Sequence, residues 1–223
     1  MYQWDWSIIL QYRQVFIEGA LTTLWLTLLV VVCGSLCGLL IGLMRRSTFP
    51  LFSVFAIAYI EIFRALPILV LLIWIYYVSP ILIGVQFSPF ITALIALSIN
   101  LSAFVAETVR AAIESIPKNQ FESGLTLGLS QTQTMFFIIL PQALKNMLPN
   151  LLGLYVTQLK NSSLASVITV NELLHRSNAV ISNTYRPLEV YTAVAVCYLL
   201  LILPLTILAG VVERRLARKT KKV

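Results

Sequence analysis

Arg64 and Lys160 each stand inside an apolar run long enough to cross a bilayer, and an intramembrane cation is the first chemistry the sequence offers. An ionised side chain near the bilayer centre costs about 2.5–3.5 kcal/mol on insertion scales, so it must face protein or a wet cavity. A guanidinium so placed can hold a carboxylate through two parallel hydrogen bonds. Glu61 lies three residues before Arg64, a spacing that lets the two pair on one helical face. Arg64 therefore has two readings, a structural pair with Glu61 or a lining residue on the path of a carboxylate-bearing solute. Lys160, followed by Asn161 and Ser162, has the same choice between lining a path and bonding a neighbouring helix. Asn100 is a further candidate for the lining, whereas Glu107 and Arg110 read as a structural salt bridge. The sole histidine, His175, has no Cys, Asp or second His at ligand spacing, so no metal site is expected and the residue reads as solvated. Nor do the apolar runs carry a nucleophile with a base and an orienting group, which leaves no catalytic residue to name.

The elements that must position these groups follow from composition. Of 223 residues, 59% are hydrophobic and 11% charged, with a mean hydropathy of +0.88. Soluble chains average about 45–50% apolar and about 25% charged residues. Five runs approach the roughly 20 residues needed to cross a hydrocarbon core of about 30 Å, at residues 21–44, 54–78, 90–106, 147–168 and 188–211. The expected fold is one all-α domain over residues 1–223, an integral membrane bundle of five transmembrane helices. Pro67 should kink or break the second span, since it removes a backbone donor and clashes with the preceding turn. Gly34, Gly38 and Gly42 share one face of the first span and let another helix approach backbone to backbone. Ahead of it, Trp4, Ile8, Tyr12 and Phe16 recur every four residues, which predicts an interfacial helix over residues 1–17. The first span lacks a basic leader and exceeds a signal-peptide core, so it is expected to remain in the mature chain. Cys33, Cys37 and Cys197 sit in apolar runs where packing is their expected role.

Charge sets the orientation. The net charge is +7, yet six basic residues cluster in the tail as Arg214, Arg215, Arg218, Lys219, Lys221 and Lys222. Beside an apolar span such a cluster reads as an anchor on anionic membrane lipid rather than a nucleic-acid contact. With five spans, eleven Lys/Arg fall on the side of the tail, against Arg13, Arg176 and Arg186 on the other. Positive loops stay inside, which puts the N-terminus out and the C-terminus in.

The inner loop, residues 111–141, is the most informative segment. Lys118 or Asn119 opens a short helix that Gly128 should end, because glycine accepts the left-handed conformation after a helix. Ser130 with Gln133 three residues later predicts a capping box and a second helix. The short helix carries Phe121, Leu125 and Leu129 at four-residue spacing beside small Ser123 and Gly124, a shape that fits a groove on a partner.

This loop resembles the signature of permease subunits in ATP-binding-cassette (ABC) importers, in which Glu-Ala-Ala is followed at set spacings by Gly, Ile and Leu-Pro. Glu122, Gly128, Ile138, Leu140 and Pro141 fall at those spacings, while Ser123 and Gly124 replace the two alanines. The stretches Phe63–Pro67, Ala106–Arg110 and Leu159–Leu164 look like further segments of polar amino acid permeases, and the opening Met1-Tyr2-Gln3-Trp4-Asp5-Trp6 is similar to glutamate/aspartate permeases. The resemblance implies a non-catalytic membrane subunit of the bacterial inner membrane. Its partners would be a second permease chain, a dimer of ABC ATPase subunits that binds ATP and Mg, and an extracytoplasmic substrate-binding protein. It also implies that Gln120, Phe121, Glu122, Ser123, Gly124, Gly128, Leu140 and Pro141 couple the chain to the ATPase. The chain binds no cofactor on this reading, and no Gly-x-x-x-x-Gly-Lys phosphate loop occurs in it. The solute is a polar amino acid, with glutamate/aspartate leaned towards; the alternative is a self-sufficient secondary transporter or channel.

Overall fold

In the computed structural model, which describes residues 2–47 and 49–220, every regular element is helical. A short α1 (Ser7–Gln11) turns at Tyr12 into the long α2 (Arg13–Met44), followed by α3 (Pro50–Ala65), α4 (Ile68–Ile83) and α5 (Pro89–Glu114). The inner side carries α6 (Lys118–Thr126) and α7 (Gln131–Thr134). A π-helical turn (Met135–Ile139) joins α7 to α8 (Leu140–Asn161), which tightens into a 3-10 segment (Ser162–Ile168) before α9 (Leu173–Thr184) and α10 (Pro187–Thr220).

Among the described residues, four helical stretches are long and apolar enough to cross a membrane: α2, α5, the run Gln131–Ile168 and α10; the bent pair α3/α4 makes a fifth candidate. The molecule is thus an all-α membrane bundle. At its centre lies α5, with 56% of its most apolar stretch buried, against 6% for α10, whose exposed leucines and Ile207 suit lipid. Ser88 starts α5 by accepting from the Ile91 N–H, with Pro89 in the first turn where its missing donor costs nothing.

The tightest packing in the bundle is α2 against α5. A Cβ on Gly38 would lie 2.6 Å from Val105 Cβ and 2.7 Å from the Ser102 carbonyl oxygen, and one on Gly42 would lie 3.0 Å from the Ala106 carbonyl oxygen. Lipid gives helices no hydrophobic reason to associate, so this backbone-to-backbone contact supplies van der Waals attraction in its place. The glycine face behaves as the spacing predicts.

Several boundaries differ from the sequence expectations. The first span begins at Arg13, so the interfacial helix shrinks from residues 1–17 to Ser7–Gln11. Ile8 and Phe16 of its stripe are buried against Leu173, Val180, Val190 and Val194, while Trp4 precedes the helix and stacks on Trp6. The amphipathic stripe found a protein partner, which periodicity does not name. The inner loop is also narrower than residues 111–141, because α5 runs on to Glu114 and the fourth span starts at Gln131. Cys33 and Cys37 are exposed on α2 rather than packed within the chain. Helix α10 reaches Thr220; Lys221 and Lys222 of the proposed anchor, like Met1 of the opening motif, lie outside the described residues.

A capped inner helix and a polar cavity

The second span breaks where the proline requires. Leu66, the residue before Pro67, is extended (ψ 130°), as the proline ring demands of its predecessor. The two 16-residue halves meet at 104°. Pro67 has no N–H to offer the Phe63 carbonyl four residues back. Asn100 of α5 supplies it instead, donating Nδ2–H to the Phe63 oxygen at 3.2 Å. Part of the role of Asn100 is therefore to satisfy the broken backbone.

The break opens a cavity of about 220 Å³ beside it. Its polar lining is Arg64 at the end of α3, Asn100 from α5, and Thr157, Gln158 and Asn161 from α8, with Phe104 and Leu154 among its apolar walls. Three of the six sequence candidates, Arg64, Asn100 and Asn161, thus converge. The other three are not in its lining. Glu61 is exposed elsewhere on α3, Lys160 points to an exposed face, and Ser162 is buried with its hydroxyl bound to the Leu159 carbonyl at 2.7 Å. The anticipated Glu61–Arg64 pair does not form. Arg64 turns instead to Glu107 of α5 at 3.6 Å, a carboxylate that also gathers Arg45 at 2.9 Å and Arg110 at 2.5 Å. Glu107 and Arg110 do form the salt bridge expected of them.

Gln158 was not among the sequence candidates. It is 2% exposed, lines the cavity, and its Nε2 has no hydrogen-bond partner. A buried amide donor left unpaired costs about 1–3 kcal/mol, which a bound acceptor would recover. One turn before Asn161 on an apolar helix, it carried no signal beyond its polarity. His175 gives its backbone N–H to Glu172 at 2.6 Å, and no group of three metal-ligating side chains occurs among the described residues.

At the inner side, α6 is closed at its end by a Schellman motif: the Leu129 N–H reaches the Gly124 carbonyl and the Gly128 N–H the Leu125 carbonyl. Gly128 takes φ +80°, the conformation that glycine adopts without strain. Ser130 and Gln133 form the capping box that opens α7. Phe121 packs inward against the core with the Arg46 guanidinium 5.9 Å from its ring centre, and Gln120 accepts from Gln142 Nε2 at 3.3 Å. Leu140 and Pro141 follow the π-helical turn, whose wider winding accommodates a proline that cannot donate. The helix is held from behind, and what it presents outward is Glu122, Ser123 and Leu125, with Leu127 just past its end 76% exposed. Of the apolar edge read from the sequence, Phe121 and Leu129 turn partly inward and only Leu125 stays outside; Leu127 was missed because it breaks the four-residue spacing.

Residues 11–218 match the family model described as binding-protein-dependent transport system inner membrane component. The chain belongs to that family. This permease is 38% identical over 215 residues to the glutamine transport system permease protein GlnP of Escherichia coli K12, covering 96% of this chain and 98% of that protein. It is 35% identical to the L-cystine transport system permease protein TcyB of Bacillus subtilis 168, covering 97% and 93%. Among solved structures it is similar to a chain of an amino acid ABC transporter crystallised with histidines, with TM-score 0.90, 36% identity and coverage of 96% and 100%.

The permease also accounts for its own departure from the signature pattern. A Cβ on Gly124 would lie 2.4 Å and 2.6 Å from Thr134 Cγ2 and Oγ1, and Thr134 is 1% exposed and β-branched, so it cannot swing away. Glycine at 124 and threonine at 134 therefore fit each other. Gly124→Ala is expected to destabilise the permease by about 1–3 kcal/mol, the usual range for overpacking, despite the better helix propensity of alanine. Adding Thr134→Ala should restore most of the loss. Thermal unfolding of the purified single and double variants checks this; an unshifted midpoint in Gly124→Ala would refute the clash.

Proposed function

We propose that the permease forms half of the membrane passage of an ATP-driven importer for a polar, electrically neutral amino acid, glutamine before others. The observation that carries this reading is a cavity at a broken span with one guanidinium, several amides and no carboxylate in its lining. A zwitterionic solute can place its α-carboxylate on Arg64 and its side-chain polar atoms among Gln158, Asn161 and Thr157. A basic amino acid would find no counter-charge there. A second carboxylate would find no second cation, since Lys160 lies outside the lining. Such a lining favours glutamine over the glutamate/aspartate that the opening residues suggested, and the relatives named for glutamine and cystine transport support this reading.

The division of labour follows. A pair of ATPase subunits binds ATP and Mg, a second permease chain completes the passage, and an extracytoplasmic protein delivers the solute. The capped α6 with Glu122 outward is the part that receives motor movement, and the basic tail keeps that side inside. Rigid-body rocking of the helices then exposes the cavity to one side or the other.

The test is uptake into proteoliposomes. Radiolabelled glutamine should accumulate only with ATPase subunits, internal ATP and the binding protein all present, and excess lysine should not compete. Uptake that persists without any ATPase would sink the proposal in favour of a self-sufficient carrier.

A further inference from the structure

Three guanidiniums surround Glu107, and they are not held alike. Arg110 binds Oε1 at 2.5 Å and also reaches Glu114; Arg45 binds Oε2 at 2.9 Å. Arg64 approaches that same Oε2 only to 3.6 Å, beyond hydrogen-bond distance. Its other partner is the face of Phe104, 5.7 Å away. The cluster thus sets three cations against two carboxylates, which leaves one positive charge without a full partner until an anion completes it. Arg64 is both the cation least firmly held and the one that lines the cavity, with 36% of its side chain exposed against 21% for Arg45.

We propose that Glu107 is a shared counter-ion that holds Arg64 in reserve and yields it to the incoming carboxylate of the solute. Glu107 never touches the solute; it is a positioning residue that sets how readily Arg64 changes partner. The exchange conserves pairing on both sides. Arg64 trades a weak ion pair for a bidentate one, and Glu107 keeps Arg45 and Arg110. Arg45 follows directly on α2, so filling the cavity alters the charge balance at the inner end of the first span. The proposal rests on the reading of Arg64 as a solute contact.

The two neighbours of Arg64 should act in opposite directions. Glu107→Gln removes the competitor and is expected to tighten amino acid binding roughly fivefold, at the low end of ordinary coupling between sites. Arg45→Gln frees Oε2 to take Arg64 more closely, and is expected to weaken binding by a similar factor. Both effects should vanish in an Arg64→Gln background, and the α-carboxamide derivative of the solute should feel neither. The measurement is equilibrium binding of L-glutamine, L-glutamate and L-cystine to the assembled permease–ATPase complex in nanodiscs, without the extracytoplasmic protein. A merely structural network would weaken binding in both single variants, or change folded yield alone, and either result overturns the exchange. If Arg64→Gln itself leaves binding unaltered, or no amino acid binds, the assignment of the cavity fails and the exchange with it. If Arg64→Gln weakens binding while Glu107→Gln does not tighten it, only the exchange fails.

Discussion

Glu122→Lys is expected to abolish ATP-driven uptake while the chain still inserts at the normal level. Glu122 is exposed on a helix whose inward side is fixed by Phe121, Gly124 and Gln120, so the substitution disturbs no buried contact. Surface substitutions of that kind stay within about ±0.5 kcal/mol of the parent stability. At a docking surface the charge reversal acts differently. Where the partner surface is complementary to the glutamate, the reversal creates a like-charge juxtaposition that costs several kcal/mol, and each 1.4 kcal/mol is tenfold in association. Loss of about a hundredfold in coupled uptake is the expected scale. Immunoblots of membranes should find unchanged amounts of chain, and detergent extracts should yield it without the ATPase bound. Near-normal transport by this variant would remove α6 from the coupling role and leave its caps and its outward glutamate without a use.

Gly38→Leu should have the largest effect on the fold itself. Even the first carbon of the new side chain meets Val105 Cβ at 2.6 Å and the Ser102 backbone oxygen at 2.7 Å. The obstacle is partly backbone of the central helix, so no rotamer change relieves it. Helices α2 and α5 must separate along the whole seam that Gly34, Gly38 and Gly42 share. The expected cost is about 3 kcal/mol or more, the upper end for overpacking, which is a large fraction of a total stability of about 5–15 kcal/mol. Cys37→Leu is the matched control, since Cys37 is the preceding residue on the same helix and exposed. Fluorescence-detected size exclusion of solubilised membranes should find Gly38→Leu aggregated or absent and Cys37→Leu monodisperse. Equal profiles would mean that the close seam is dispensable.

How far the sequence reached depends on the range of the cause. The break at Pro67, the left-handed turn at Gly128, the capping box at Ser130 and the glycine face of the first span are all local, determined by a residue and its neighbours within a few positions. Each appears where the residue types place it. The span boundaries were less legible, because the charged ends of α5 and the polar start of the Gln131–Ile168 run continue helices that hydropathy alone would stop.

What the tertiary structure decided is which distant residue answers which. Arg64 has a nearby glutamate three positions back, yet its partner is Glu107, because α5 brings an arginine-lined carboxylate against the end of α3. Asn100 finds the carbonyl that Pro67 orphaned, Gln158 reaches the cavity with its donor unspent, and Thr134 claims the space that keeps Gly124 a glycine. Ionic, polar and steric fit act through space over a few ångströms, and only the packed bundle says which side chains come within that reach.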